Sequence, residues 1–332
     1  MTGRPGLQAL RCTALIAALS GCVRPEPLAP DGERKSRLAT MLISAGQDPK
    51  SALRFEVANG DEQYVTLTTD VDMLVTTRFA GGLPLSEPRT LLRLEQTRRV
   101  TVTDVAASGA ISFEVSIAKA ELIPSEDGIA LDDPHMEERV LQLAGISASF
   151  VMSSRGIPES WSNELNEGID PIQQQALEGM EDYLPFVAIP FPEVPIGVGA
   201  KWSVTRTIKS QGVEMTYAAV YELTKFENGT GTVKTYVDRT ARPHYFKKEG
   251  RAGSRLNRMT TTTRGTHDFS LTKILPRTAS LASVTEIHMV IEFPTSNMAV
   301  ILLVEATQKT TETTAPVKTD PTNSITPDRT QF

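Results

Sequence analysis

The side chains that most often do chemistry are sparse in this chain. The four histidines, His135, His244, His267 and His288, never fall within four residues of one another. The two cysteines, Cys12 and Cys22, both lie near the N-terminus. Zinc needs clustered nitrogen and sulfur donors, so no metal centre is expected. Glu126, Asp127, Asp132, Asp133, Glu137 and Glu138 crowd one stretch but lack the D-x-D-x-D-G spacing of a calcium loop, and they read as a solvated acidic loop. No G-x-S-x-G elbow is present. Gly197-Val198-Gly199 is too short for a dinucleotide fingerprint and precedes a strand pattern, not a helix. With 40 acidic residues, some carboxylate pair always has glycosidase-like separation, so that signal is empty. The expectation is a protein that is not an enzyme and holds no cofactor. What remains is apolar binding. Val71, Met73, Val75, Phe79, Phe113, Val115, Tyr217, Tyr221, Met289 and Ile291 could line a concave face, methionine suiting an adaptable site. The same residues would equally serve as the ordinary inward core of a sheet.

The N-terminus carries a second kind of chemistry. Arg4 and Arg11 form a basic start, and Cys12–Leu19 (CTALIAAL) is an apolar run too short to span a bilayer as a helix. Leu19, Ser20, Gly21 and Cys22 follow. This tetrapeptide resembles, position by position, the lipobox of bacterial lipoproteins. The resemblance implies removal of residues 1–21, a thioether from Cys22 to diacylglycerol, and a bacterial cell envelope location. Val23 in the next place implies the outer membrane, with the periplasmic or surface face left open. Several acyl chains at roughly 0.8 kcal/mol per buried CH₂ make a stable anchor. The mature fold would then have no free thiol and no disulfide. Losing Arg4 and Arg11 takes the net charge from −6 to −8, which argues against nucleic acid as a partner. The partners expected are the membrane, through the lipid, and an envelope protein or a hydrophobic ligand.

The elements that would position these groups are mostly strands. Residues 22–51 read as the lipidated cysteine and a tether, with one or two helical turns near Arg37–Ser44. Residues 52–168 form an N-terminal β half. In it Val65, Leu67, Val71, Met73, Val75 and Phe79 hold one parity of a single long strand, and Ile111, Phe113, Val115 and Ile117 alternate without fault. Residues 169–198 hold a helix, Ile169–Tyr183, started by Asp170 and Pro171, and a proline-rich connector with Pro185, Pro190, Pro192 and Pro195. Only Leu184–Pro195 is linker; Gly197–Trp202 opens the second half. Residues 199–306 form the C-terminal β half, with alternation over Val213–Leu223 and Ile287–Phe293 and a run at Ala299–Val304 expected to be buried on both faces. Residues 307–332, Thr-rich and polar, are expected to be a disordered tail.

Two internal echoes suggest that the halves are related. Gly109 and Gly145 are spaced like Gly229 and Gly265, and all four are expected in turns. Asn59–Val65 and Gly199–Val204 both run from a glycine turn into a strand that begins with an aromatic residue. The order LRFEVANGDEQYVTLTTDVDM, VTDVAASGAISFEV, GISASFVMSSRG, PFPEVPIGVGAKW is similar to that of a group of uncharacterised bacterial β-rich lipoproteins and secreted proteins. That similarity spans residues 52–306 and implies fold more than function. Long curved sheets tethered by lipid also resemble the half-barrels of lipoprotein carriers, whose concave faces hold acyl chains. The expected fold is therefore mainly β: two related halves of long curved antiparallel strands, half-barrel-like, with the helix and connector between them. A lipid-anchored binding or interaction module is the first functional expectation. A carrier or sensor of a hydrophobic ligand, with the 169–183 helix as a lid, is the alternative, and an envelope enzyme the third.

Overall fold

The computed structural model describes residues 38–79, 82–86, 90–123, 136–162, 188–210, 213–246, 253–293 and 298–315. They form a mainly antiparallel β fold built on one continuous sheet of 14 strands. The strands are β1 (Ala39–Ser44), β2 (Glu62–Phe79), β3 (Pro84–Ser86), β4 (Thr90–Val105), β5 (Ile111–Ile123), β6 (Ser147–Met152), β7 (Pro158–Ser162), β8 (Lys201–Ser210), β9 (Val213–Glu227), β10 (Thr230–Ala241), β11 (His244–Phe246), β12 (Gly253–Ser270), β13 (Thr278–Phe293) and β14 (Met298–Ala315). A short helix, α1 (Met136–Leu141), packs on β5. The sheet order is β1-β8-β9-β10-β12-β13-β14-β2-β4-β5-β6-β7, with β11 beside β12 and β3 beside β2.

The topology is two meanders joined at one seam. Strands β2 and β4 to β7 run outward on one side of it, and β14, β13, β12, β10, β9 and β8 on the other. The seam pairs β14 with β2 from Val300↔Phe79 to Ala315↔Tyr64. The two halves are thus flanks of one sheet, with no second sheet among the described residues. Strict alternation makes this possible: in β2, β5 and β9 alternate residues are buried. Both flanks feed one apolar cluster, with Phe113 and Phe150 from one side and Trp202, Tyr217 and Val233 from the other. The sheet therefore curves with that face inward.

Several expectations require correction. Arg37–Ser44 is not helical where described, since Ala39–Ser44 is an edge strand on β8, from Ala39↔Thr205 to Ser44↔Lys201. The expected disordered tail does not begin at 307. β14 continues to Ala315, because its threonines are β-branched and pair with β13 and β2. The Ala299–Val304 run is buried on one face only, with Val300, Leu302 and Val304 inside and Leu303 exposed. Gly265 lies in the middle of β12 opposite Thr235 and Leu281, so its match to Gly145 in a turn fails. Gly60 and Gly199 do share a left-handed conformation (φ 84° in each), and each leads into a strand two residues later. The 169–183 helix, the Leu184–Val187 start of the linker and the acidic stretch 124–135 lie outside the described residues, as do Cys22 and the lipobox.

The largest correction concerns the connector. From Ala188 to Pro192, and again at Ile196, it is core, not linker: Ala188, Ile189, Phe191 and Ile196 are all buried, with Glu193–Pro195 exposed between them. Proline prevents this stretch from joining the ladder, so it crosses the curved face as an irregular strap and satisfies its backbone elsewhere. Phe191 N–H donates to Arg155 O (2.8 Å), and Ile196 and Ser51 exchange both backbone bonds (2.9 Å each). A second irregular strap lies beside it. Phe55 N–H donates to Ser154 O (2.6 Å) in the β6–β7 turn, and Glu56 N–H to Leu271 O (2.7 Å) after β12, so this strap ties one flank to the other. Arg54 fastens the two straps together by donating to Pro192 O (3.2 Å) and Glu193 O (2.7 Å). Gly156 permits the approach: its φ is 74°, and a Cβ there would sit 2.6 Å from Ile189 O.

Candidate functional site

The inner face of the sheet can be followed row by row through the strand registers. At the strapped end the rows are filled. Phe191 contacts the rings of Phe55 (5.5 Å), Phe269 (5.3 Å) and Trp202 (6.4 Å), and Trp202 stacks on Tyr221 (5.5 Å, 12°). The Trp202 indole N–H is buried and donates to Pro190 O at 2.7 Å, so the strap satisfies the one polar atom of the largest core side chain. Gln63, also buried, makes a two-way amide pair with Leu275: Nε2 donates to the carbonyl (2.9 Å) and Oε1 accepts from the N–H (3.0 Å).

Next toward the other end comes a band with polar members. Arg206, Tyr217, Arg239, Thr261 and Thr285 lie side by side across β8, β9, β10, β12 and β13. Both guanidinium groups reach the same ring: Arg206 lies 5.6 Å and Arg239 5.9 Å from the Tyr217 centroid. The hydroxyls of Tyr217 and Tyr221 are 3.1 Å apart, and those of Thr261 and Thr285 3.0 Å apart. Burial pushes both tyrosine pKa values up, that of Tyr221 well up, so both are neutral phenols at ordinary pH. Closer to the strapped end the inner face carries Arg98, whose Nη2 donates to Gln96 Oε1 (2.9 Å), and the buried Glu312 and His267. His267 Nδ1 has no hydrogen-bond partner among the described residues. Burial lowers its pKa to about 4, so the imidazole is neutral.

One row beyond the arginines the lining becomes wholly apolar. Ile208, Met215, Ala241, Met259, Ile287, Val304 and Val75 face one another in register across β8, β9, β10, β12, β13, β14 and β2. All belong to or pack against a second apolar cluster, separate from the one at the strapped end. No described segment crosses this end as the straps cross the other. Its rim carries Phe79, Leu83 and Leu85, exposed by 43%, 89% and 50%.

The sequence-derived candidates divide between these regions. Val71, Met73 and Val75 belong to the second cluster and Met289 packs against it. Ile291 is half-buried near the end of β13, opposite Val300. Phe79 is on the rim, not inside. Phe113, Val115, Tyr217 and Tyr221 are in the filled cluster, so for them the core reading holds. The ten do not form one site. Ile208, Met215, Leu256, Ile287, Leu302 and Val304 were missed. So were the inner polar residues Arg98, Arg206, Arg239 and Glu312. Their signal was available: Arg206 keeps the parity of Trp202, Val204 and Ile208, and Arg239 that of Val233 and Val237. A charge on the buried parity of a strand marks an interior polar group.

The outer face differs throughout. Two of its rows are Thr207, Thr216, Thr240, Thr260, Glu286, Glu305 and Leu74, then Ser203, Val220, Tyr236, Arg264, Ala282, Lys309, Asp70 and Arg93. Asp70 and Arg93 pair at 2.6 Å and Lys201 and Glu222 at 3.5 Å. A membrane-spanning barrel presents an apolar outer band about 25 Å tall, and these rows do not supply one. Among the described residues no helix is long and apolar enough to cross a membrane. No group of three or more potential metal ligands is found among them either.

No family model matches the chain, and no curated protein matches it. Among solved structures it is similar to an outer membrane channel from Pseudomonas putida F1, at 6% identity over 81% of this chain and 100% of that one (TM-score 0.25). It is also similar to the outer membrane protease OmpT from Escherichia coli, at 9% identity over 80% and 100% (TM-score 0.22). A mutant porin of Rh. blastica matches at 10% identity over 75% and 100% (TM-score 0.17). Likeness at this level carries no argument about function.

Proposed function

We propose that this chain is a lipid-anchored protein of the bacterial outer membrane, held through Cys22, that carries or senses a hydrophobic ligand on the concave face of its sheet. The reading is non-enzymatic. It is supported above all by the apolar row Ile208–Met215–Ala241–Met259–Ile287–Val304–Val75, which lines the inner face at the end the straps do not cross. Apolar side chains brought into register from seven strands on one inner face are the kind of lining that suits a ligand tail. A docking role for an envelope protein is the second reading, favoured by the exposed Phe79, Leu83 and Leu85 at the same rim.

The test is native mass spectrometry of the protein extracted from its own membrane. Added mass of one lipid, lost in Met215→Glu, supports the carrier. A bare protein that instead retains a stoichiometric protein partner, released by Leu83→Ser with Leu85→Ser, replaces it with the docking role. For the anchor, Cys22→Ser is expected to abolish acylation and release the chain from the membrane fraction; unchanged fractionation would overturn it.

A further inference from the structure

The outer face changes character close to the rim that the straps do not cross. Two neighbouring outer rows there are Val290, Ile301, Arg78 and Pro84, then His288, Leu303, Thr76 and Ser86, across β13, β14, β2 and β3. Leu303 is 42% exposed, and it adjoins the exposed Phe79, Leu83 and Leu85. The next row inward brings two carboxylates, Glu286 and Glu305. Rows two residues apart along a strand are separated by roughly 7 Å, so the apolar collar is about 7–10 Å deep. That is far short of the roughly 25 Å band of a spanning barrel. It matches the roughly 5–10 Å to which an amphipathic surface sinks into the boundary between headgroups and acyl chains. Tyr245, 49% exposed, belongs to the same rim, and its hydroxyl donates to Glu292 at 3.4 Å. Tyrosine, with its apolar ring and polar tip, and arginines such as the exposed Arg78 are the side chains that settle at that boundary.

The course of the chain favours a bilayer as the occupant of this rim. β8 starts at Lys201 beside the strap and ends at Ser210, beyond the Ile208–Met215 pair, so it runs toward the rim. β1 is antiparallel to it, from Ala39↔Thr205 to Ser44↔Lys201, so the N-terminal end of β1 points to the rim. Thr205 lies five residues from the end of β8 (205 to 210), roughly 17 Å along the strand. Ala39 follows Cys22 by 17 residues (39 − 22), which span at most about 60 Å, so Cys22 can reach the plane of the rim. We propose that the rim formed by Phe79, Leu83, Leu85, Tyr245 and Leu303 is a membrane-contact surface, dipped into the bilayer interface to the depth of the collar while the strapped end faces away. This rests on the Cys22 anchor and is independent of any ligand on the inner face.

The test places an environment-sensitive fluorophore at each end of the full acylated chain, reconstituted in vesicles of phosphatidylethanolamine and phosphatidylglycerol. Once Cys12 is cleaved off and Cys22 acylated, an introduced cysteine is the only free thiol. Leu83→Cys labels the rim. Ser108→Cys labels the exposed β4–β5 turn at the strapped end, where the neighbouring Gly109 lies near Ser154. Both sites are exposed, so neither substitution disturbs the core. The Leu83 label is expected to shift to the blue and to be quenched, severalfold more than the Ser108 label, by lipids brominated near the headgroup. Leu85→Ser with Phe79→Ser is expected to reduce that shift without changing acylation. A Leu83 label that stays water-like on an acylated, vesicle-bound chain overturns the membrane contact and leaves the rim to an envelope protein. Equal shifts at both labels overturn it too, since the protein then lies on its side. If Cys22 carries no acyl chain, the anchor reading fails, and the same labels are read on the Cys22→Ser chain with added vesicles. A shift at Leu83 alone then supports the rim contact, and no shift overturns it.

Discussion

The two ends of this sheet use the same strands for different purposes. At the strapped end the inner face is closed by residues 53–57 and 188–200. Rings fill the space, and the buried polar atoms of Trp202 and Gln63 are matched by backbone partners. At the other end the same strands present Ile, Val, Met and Ala side chains with no described segment across them, and the rim exposes further apolar groups. A β-sheet gives every strand an inner face, so burial by alternation alone cannot tell core from lining. What separates them is whether another part of the chain arrives to cover the face. Here two irregular straps cover one end, and in the 188–200 strap Pro190, Pro192 and Pro195 are the reason it can lie over the strands without joining them.

The comparison predicts unequal responses to mutation. The largest effect should come from Phe191→Ala, which removes the ring that joins Phe55, Trp202 and Phe269 and leaves a cavity under the strap. A loss of about 3–5 kcal/mol is expected in urea denaturation, with the slope unchanged. A cost no greater than that of a truncation at the open end would break the contrast.

A pH-dependent loss of nearly that size should come from His267. Its folded pKa of about 4 lies below the ordinary value of 6.5, because burial disfavours the imidazolium. The unfolded chain therefore takes up the proton first. The contribution is complete above pH 6.5, is lost progressively as pH falls from 6.5 to 4, and is constant below that. The depression corresponds to about 3 kcal/mol as an upper bound. Denaturation midpoints at pH 7 and pH 4.5 should differ less in His267→Gln than in the wild type. Equal differences would mean that the imidazole is solvated.

In the second cluster, Met215→Ala should cost about 2 kcal/mol, the low end for a buried methionine. Its distinguishing readout is ligand uptake, which should fall more than stability does. The smallest effect belongs to the outer face. Arg93→Ala breaks the exposed pair with Asp70 and should change the thermal midpoint by an amount corresponding to less than about 1 kcal/mol, and by less still in 0.5 M salt. A larger loss would indicate that the outer face is less hydrated than its composition implies.

The strands and their inward parity were legible because period two is a local property. Val65 to Val75, Ile111 to Ile117 and Val213 to Leu223 announce a buried face whatever lies opposite them. The turns at Gly60, Gly109 and Gly229 were legible for the same reason, since each is a short-range backbone requirement. Propensity failed where pairing overrode it. The Thr-rich run after Glu305 looks like a tail by composition, yet it becomes the second half of β14 because β13 and β2 stand on either side of it. Gly265 looks like punctuation and is a strand interior. Ala39–Ser44 has no partner nearby in sequence and becomes a strand only against β8.

By itself, then, the sequence determined a mainly β chain of long strands and short glycine turns. It also determined which residues on each strand turn inward. Only the tertiary structure decided that the two halves are flanks of one sheet and that Ala188, Ile189, Phe191 and Ile196 are core. It also decided that Phe113 and Tyr217 belong to one buried cluster while Val75 and Met215 belong to a second. The physical reason is range. Alternation and turn chemistry are settled within a few residues. Which strand becomes a neighbour, and what covers a face, depends on contacts such as Gln63 with Leu275 and Arg54 with Glu193, made between residues 212 and 139 positions apart.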